Sequence, residues 1–277
     1  RRQRQMCIRD RLKGVPKSLI YRVVRSGEVR VNKGRAHVDT RLQSGDEVRI
    51  PPIRYTEKES EHSAPPLKLS EMPPILFEDQ NIMVVDKLAG MASHGGSGIS
   101  YGLIERMRAS RPELPFLELV HRLDRGTSGV LVLAKTRKAL VRLHEMIREG
   151  EMHKTYQALV KGDWQNDRQH AKFPLFKYVT PSGERRVRVD PENGLPSHSI
   201  FRLKERFGPV SLVEVDLLTG RTHQIRVHAA ELGFPLVGDE KYGDFAFNDE
   251  VAHGSLGVPF KRMFLHSGKI CFHHPIT

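Results

Sequence analysis

Residues 119–129 read Leu-Val-His-Arg-Leu-Asp-Arg-Gly-Thr-Ser-Gly, with Asp124 at the centre and a fully apolar run, 130–134, directly after. Two glycines, a serine and a threonine around an aspartate describe a tight turn, and on composition alone Asp124 would be only a turn former. Its company changes the reading. Arg122 and Arg125 flank it, the apolar strand fixes the turn, and a partly buried carboxylate stays ionised when a cation is near. Such a group can be held close to an anionic substrate. A second segment, Gly220-Arg221-Thr222-His223-Gln224-Ile225-Arg226-Val227-His228, follows a strand expected over 213–217 and places Arg221 at the mouth of a helix expected over 222–232. Alone it would read as a phosphate-contacting or merely solvated arginine. The third is Lys154-Thr155-Tyr156, at the start of a strand expected over 155–160. A tyrosine there serves the core, or offers a flat platform for an unpaired base.

Weaker signals fall away. His121-Arg122-Leu123-Asp124 is shaped like a kinase catalytic loop, but the downstream Asn and a Gly-rich phosphate loop are missing. Gly95-Gly96-Ser97-Gly98 lacks the Lys-Ser/Thr of a phosphate-binding loop. His223 and His228 lie five apart, and His273 and His274 are adjacent; with 14 histidines such spacings arise by chance. Cys7 and Cys271 are the only cysteines, so neither a disulfide framework nor a cysteine zinc site is expected. No metal site and no cofactor motif stands out.

The elements that must position these groups alternate without a regular strand–helix repeat, which predicts an α+β fold rather than a doubly wound sheet. Strands are expected at Ile75–Glu78 and 82–86 around the turn Asp79-Gln80-Asn81, and at 130–134. Residues 137–149 make a helix, with Ala139, Leu140, Leu143, Met146 and Ile147 on one face and Gly150 after its end. Gly233 closes the helix over 222–232. Six prolines within 51–74, with Glu57, Glu59 and Glu61 among them, describe a linker. Three parts follow: 1–50, a linker at 51–74, and a large domain at 75–277.

The net charge of +12 is concentrated early: residues 1–50 hold fourteen Lys/Arg against five Asp/Glu. Clustered positive charge attracts polyphosphate backbones. Residues 1–11 show no helix or strand period and read as carry-over sequence, yet the bias survives without them. Between 12 and 50, Pro16 opens a helix with the apolar stripe Leu19, Ile20, Val23 and Val24, while Arg22 and Arg25 share another face. Gly27 stops that helix. A short strand at 28–31, the turn Asn32-Lys33-Gly34, and Gly45-Asp46 before a strand at 47–50 complete the unit. Lys17, Arg22, Arg25, Arg30 and Lys33 are the candidate nucleic-acid contacts. No apolar run reaches the roughly 18 residues of a membrane span, and no secretory leader is visible, so the cytoplasm is the expected location. The ending HHPIT carries no stop signal, and the natural protein is expected to continue.

Two resemblances sharpen this. VPKSLIYRVVRSGEVRVNKGR followed by GDEVRI resembles the small S-four-type RNA-binding domain, although the family's first helix, near residues 5–12, finds no match. HRLDRGTSGVLVLAK, KTYQALV, GRTHQIRVHAA and FLHS, in that order, resemble the RluA-type family of pseudouridine synthases. The likeness covers about residues 12–277 and is greatest to members that modify large-subunit ribosomal RNA. It implies a catalytic domain built on a mixed, largely antiparallel central sheet, beside the small N-terminal domain. Asp124 then takes the place of the essential aspartate, Tyr156 of the tyrosine against the target base, and Arg221 of the arginine that pairs with the aspartate. Arg122 sits where the family inserts a side chain into the space left by a flipped nucleotide. His94, in SHGGSG, falls in a structural motif. Leu88 departs from the family, which usually has proline after Lys87.

The implied chemistry breaks the bond between the ribose anomeric carbon and N1 of uracil, then joins that carbon to C5. The base must leave its stack and rotate, so a flipping pocket with a flat wall is required. A carboxylate can attack the anomeric carbon or remove a neighbouring sugar proton, and both routes stay open. No cofactor is needed. The expected partner is ribosomal RNA of the large subunit, met by a monomer. Two other readings remain: a synthase acting on transfer RNA, and a non-catalytic RNA-binding or ribosome-assembly factor.

Overall fold

A computed structural model describes residues 23–37, 40, 42–51, 65–68, 71–95 and 101–277. The chain divides into two compact units, 1–63 and 64–277. In the first, a helical turn at 23–25 ends at Gly27, whose φ of 79° is the left-handed stop that the sequence predicts. Strands β1 (Arg30–Val31), β2 (Gly34–Arg35) and β3 (Val48–Arg49) form an antiparallel sheet ordered β2-β1-β3. Asn32 and Lys33 have φ of 49° and 68°, the paired left-handed conformation of a two-residue hairpin turn. Asn32 also donates to Asp46 at 2.7 Å and accepts the Glu47 N–H at 3.0 Å, tying this turn to the residues just before β3. Val23, Val24, Val29 and Ala36 form the small core. Arg25, Arg30 and Lys33 are exposed; Lys17 and Arg22 lie outside the described residues.

The second unit is built on a nine-stranded sheet, ordered β4-β5-β7-β14-β8-β13-β12-β9, with β6 pairing β7. In chain order these are β4 (Ile75–Glu78), β5 (Ile82–Lys87), β6 (Glu118–Leu119), β7 (Ser128–Ala134), β8 (His153–Lys161), β9 (Arg168–Ala171), β12 (Ser199–Arg206), β13 (Val210–Leu217) and β14 (Leu265–Cys271). All pairings are antiparallel except β7 with β14, which is the mixed sheet implied by the resemblance. The hairpin β10 (Leu175–Val179) and β11 (Arg185–Val189) stands apart as a two-stranded sheet.

Strand β7 is apolar on both faces because both are covered. Leu131 and Leu133 enter one core with Met83, Val85, Leu103 and Met107, while Val132 and Ala134 enter another with Ile82, Ala139, Leu143 and Met146. Helix α1 (Leu103–Ser110) covers the first face. Helix α2 (Arg137–Glu149) covers the second; Thr136 caps it by accepting the Ala139 N–H, and Gly150 ends it with φ 77°. Its bounds are those read from the sequence. Helices α3 (Gln224–Glu231) and α4 (Phe245–Ala252) complete the unit. No helix among the described residues is long and apolar enough to cross a membrane.

Strand β14 lies between β7 and β8. Its contact with β7 is so close that a Cβ on Gly129 would come within 2.3 Å of the Ser267 carbonyl oxygen, and Gly129 has φ 110°. Only glycine fits there.

Candidate active site

Asp124 sits on the turn joining β6 to β7, where the Thr127 N–H donates to the Asp124 carbonyl at 3.1 Å. Neighbouring segments brace this turn from behind. Ser93 Oγ donates to the Leu123 carbonyl at 2.7 Å and accepts the Leu123 N–H at 3.1 Å. Arg125 and Gly90 exchange hydrogen bonds, the Gly90 N–H to the Arg125 carbonyl at 2.8 Å and Arg125 Nε to the Gly90 carbonyl at 2.9 Å. Lys87, fully buried, donates to the carbonyls of Leu88 at 2.9 Å and Met91 at 2.7 Å. Burial pulls its ammonium down to about 8, against the attraction of Asp124. Leu88 supplies its carbonyl to Lys87, so its replacement of the family's proline leaves this brace in place.

The structure corrects the expected partner of Asp124. Arg226, not Arg221, donates to the carboxylate, Nη1 to Oδ2 at 3.0 Å. The reason lies in where α3 begins. Arg221 precedes the helix on its exposed side, and its guanidinium donates to the Pro196 carbonyl at 3.1 Å. Residues 224–229 of α3 are all buried, so Arg226 projects inward. There its Nε and Nη2 donate to Asp239 at 2.7 and 2.8 Å, a two-pronged pair that fixes the guanidinium plane. Burial works against the Asp239 charge. The Arg226 guanidinium and the N–H groups of Lys241 and Tyr242 outweigh it and keep the carboxyl below its ordinary range.

Tyr156, on β8, is buried, and its register partner on β14 is Ser267. Burial raises its phenol well above the ordinary tyrosine value, with the Ser267 side chain opposing and the Asp124 charge adding. It is therefore an uncharged ring at neutral pH. Asp124, Tyr156, Arg221 and Arg226 line one cleft of about 1000 Å³, which also takes in Arg122, His223 and Leu265 of the FLHS segment. Asp124 keeps 27% of its side chain exposed within it, enough to meet a ligand. Arg122 is exposed at the mouth, its Nη1 2.5 Å from His94 Nε2. Arg148, Arg185 and Lys241 also line the cleft, so its walls are cationic. His121 stays neutral: burial pushes it down to about 3, and its Nε2 accepts the Val132 N–H at 3.1 Å.

Sequence reasoning missed Arg226, Asp239 and the His223–Tyr242 pair. Arg226 lay within a quoted motif, and the signal that could have found it was its place among buried neighbours on the helix. Asp239 and Tyr242 carry no local signal. Among the described residues no group of three or more His, Cys, Asp or Glu side chains is placed to hold a metal ion.

A carboxylate steadied by a buried guanidinium, beside an aromatic wall in a cationic cleft on this mixed sheet, defines a nucleic-acid-directed enzyme. The RNA pseudouridylate synthase family model matches residues 81–231, more than half of the chain, and the chain belongs to that family. It is 52% identical over 274 residues to the ribosomal large subunit pseudouridine synthase C of Salmonella typhi, covering 98% of this chain and 84% of that one. The protein of the same name from Escherichia coli K12 is 51% identical, with the same coverage. Among solved structures, human RNA pseudouridylate synthase domain containing 1 superposes with a TM-score of 0.59 at 28% identity, over 74% of this chain and 80% of that one. Human RNA pseudouridylate synthase domain containing 4, at 23% identity and a TM-score of 0.56 over 72% of this chain and 83% of that one, shares the fold.

Proposed function

We propose that the chain isomerises specific uridines of large-subunit ribosomal RNA to pseudouridine, with Asp124 as the carboxylate that acts on the ribose. The observation that carries this is the Asp124–Arg226 pair, 3.0 Å long, with the carboxylate partly exposed in a cleft that Tyr156 lines. The relatives named for large-subunit ribosomal RNA support the choice of substrate. Arg226 orients Asp124 and sets a fixed positive charge beside it. Tyr156, neutral and buried, serves as the flat wall against which the flipped base lies. Arg122, exposed beside the cleft, fills the space the base leaves. Arg221, whose guanidinium bonds the Pro196 carbonyl at the edge of the same cleft, contacts substrate phosphate.

The first unit acts as an S-four-type RNA-binding domain, with Lys17, Arg22, Arg25, Arg30 and Lys33 as phosphate contacts. The chain works as a cytoplasmic monomer and requires no cofactor. Incubation with ribosomal RNA fragments and with transfer RNA, followed by mapping of pseudouridine, tests the reading. Product in large-subunit RNA alone is expected. Product only in transfer RNA would move the substrate, and binding without product would leave an assembly factor.

A further inference from the structure

Among the described residues, His223 is the only non-glycine outside the Asn32-Lys33 turn with a left-handed backbone, at φ 54°. A residue with a Cβ holds this conformation at an energetic cost, sustained only where the surroundings fix it. It stands immediately before α3, but its side chain makes no capping bond to that helix. Its ring turns instead toward the cleft, with only 14% of the side chain exposed. Nδ1 lies 2.7 Å from the Tyr242 hydroxyl, and Nε2 lies 3.9 Å from Asp124 Oδ1.

The hydroxyl of Tyr242 also accepts the Val187 N–H at 2.9 Å. A phenol has one proton to give, and Nδ1 is the acceptor in line for it. His223 is then the neutral tautomer with its proton on Nε2, the nitrogen that faces Asp124. Arg226 meets the other carboxylate oxygen, Oδ2.

We propose that His223, oriented by Tyr242, is a positioning residue for the reaction: its Nε2–H and the Arg226 guanidinium clamp the two oxygens of Asp124 from opposite sides. This role presupposes the isomerisation proposed above. At 3.9 Å the His223 arm is open, and it closes when a bound nucleotide excludes water, since hydrogen bonds of this kind tighten in the complex. The charged groups facing the imidazole are Asp124 and Asp239 on one side of the balance and Arg226 and Lys241 on the other. Burial, with both cations adding, keeps the ring below its ordinary pKa despite the carboxylates, so at neutral pH it is an uncharged N–H donor.

Long-range nitrogen–proton correlation spectra of the full chain, labelled at histidine and free of RNA, read the tautomer directly. The Nε2–H form is expected at His223. In turnover on ribosomal RNA, His223→Gln and His223→Asn should each lower kcat roughly ten- to a hundredfold and leave KM within about twofold. Asparagine tolerates the left-handed backbone, so its loss cannot be ascribed to strain. Tyr242→Phe, the mildest change, should lower kcat less and shift the acid limb of the pH profile. An Nδ1–H tautomer in the unsubstituted chain, or His223 variants that turn over at the original rate or change only KM, would overturn the clamp. If the unsubstituted chain modifies no RNA, the functional reading fails, and the tautomer still decides the geometry.

Discussion

The Arg226 guanidinium holds two carboxylates at once, Asp239 through Nε and Nη2 at 2.7 and 2.8 Å and Asp124 through Nη1 at 3.0 Å. The two carboxylates differ in exposure: the Asp239 side chain is 1% exposed and that of Asp124 27%. The first anchors the arginine, and the second is presented to the cleft. A lysine could not serve both, because it offers a point charge where the arginine offers a planar fork.

Asp124→Ala should abolish pseudouridine formation while RNA binding persists. Single-turnover assays beside filter binding would show this, and residual isomerisation at the original rate would remove Asp124 from the mechanism.

Asp239→Ala should act mainly on stability. Removing the buried partner leaves Arg226 with the more exposed Asp124 alone, at a cost below the roughly 3–5 kcal/mol of a fully unpaired buried charge, measurable as a lowered urea midpoint. Arg226→Lys should lower kcat as well, since its single ammonium cannot reach both carboxylates in the same geometry. Arg221→Ala should leave the midpoint unchanged and raise KM. A fall in kcat alone for Arg221→Ala would return the arginine to the catalytic centre.

Acid should destabilise the second unit before its carboxylates titrate. His228 is fully buried between the hydroxyls of Ser197 at 2.8 Å and Ser199 at 3.0 Å, and burial pushes its imidazole down to about 4. A group whose folded pKa is depressed contributes stability above its unfolded value, near 6.5, that drains away as pH falls toward about 4. Urea midpoints recorded from pH 7 to 4 should decline over this window, and His228→Gln should flatten the decline. The Asp239 carboxyl, also depressed, adds its own loss below the ordinary carboxylate range.

Affinity for ribosomal RNA should fall steeply between about 50 and 200 mM salt, and each of Arg25→Ala, Arg30→Ala and Lys33→Ala should reduce the log–log slope by roughly 0.7–0.9. A flat response would count against the basic face of the first unit.

The parts of this molecule visible in its sequence are those where local chemistry and tertiary role coincide. Helix α2 shows an apolar stripe, a threonine cap and a terminal glycine, and it ends where these say. The turn holding Asp124 declares itself through its glycines and the apolar strand behind it. Strands β11 and β12 were not legible, because RRVRV and SIFRLKER mix charge with apolar residues and become strands through pairing with β10, β13 and β9. Strand β14 was hidden by Gly268 and by the irregular register between Ser267 and Lys269. The pairing of Asp124 was misassigned for the same reason. Two arginines five residues apart look alike in sequence, and only the burial of α3 distinguishes them.

The place of β14 has a consequence for biogenesis. Strands β7 and β8 are separated by a single helix in the chain, yet the sheet joins them only through a strand synthesised more than a hundred residues later. Contacts of such long range are slow to form. Until β14 is inserted, the carboxylate turn ahead of β7 and the phenol on β8 have no shared scaffold, so a half-made polypeptide emerging from the ribosome lacks a working enzyme even with Asp124, Tyr156 and Arg226 already translated.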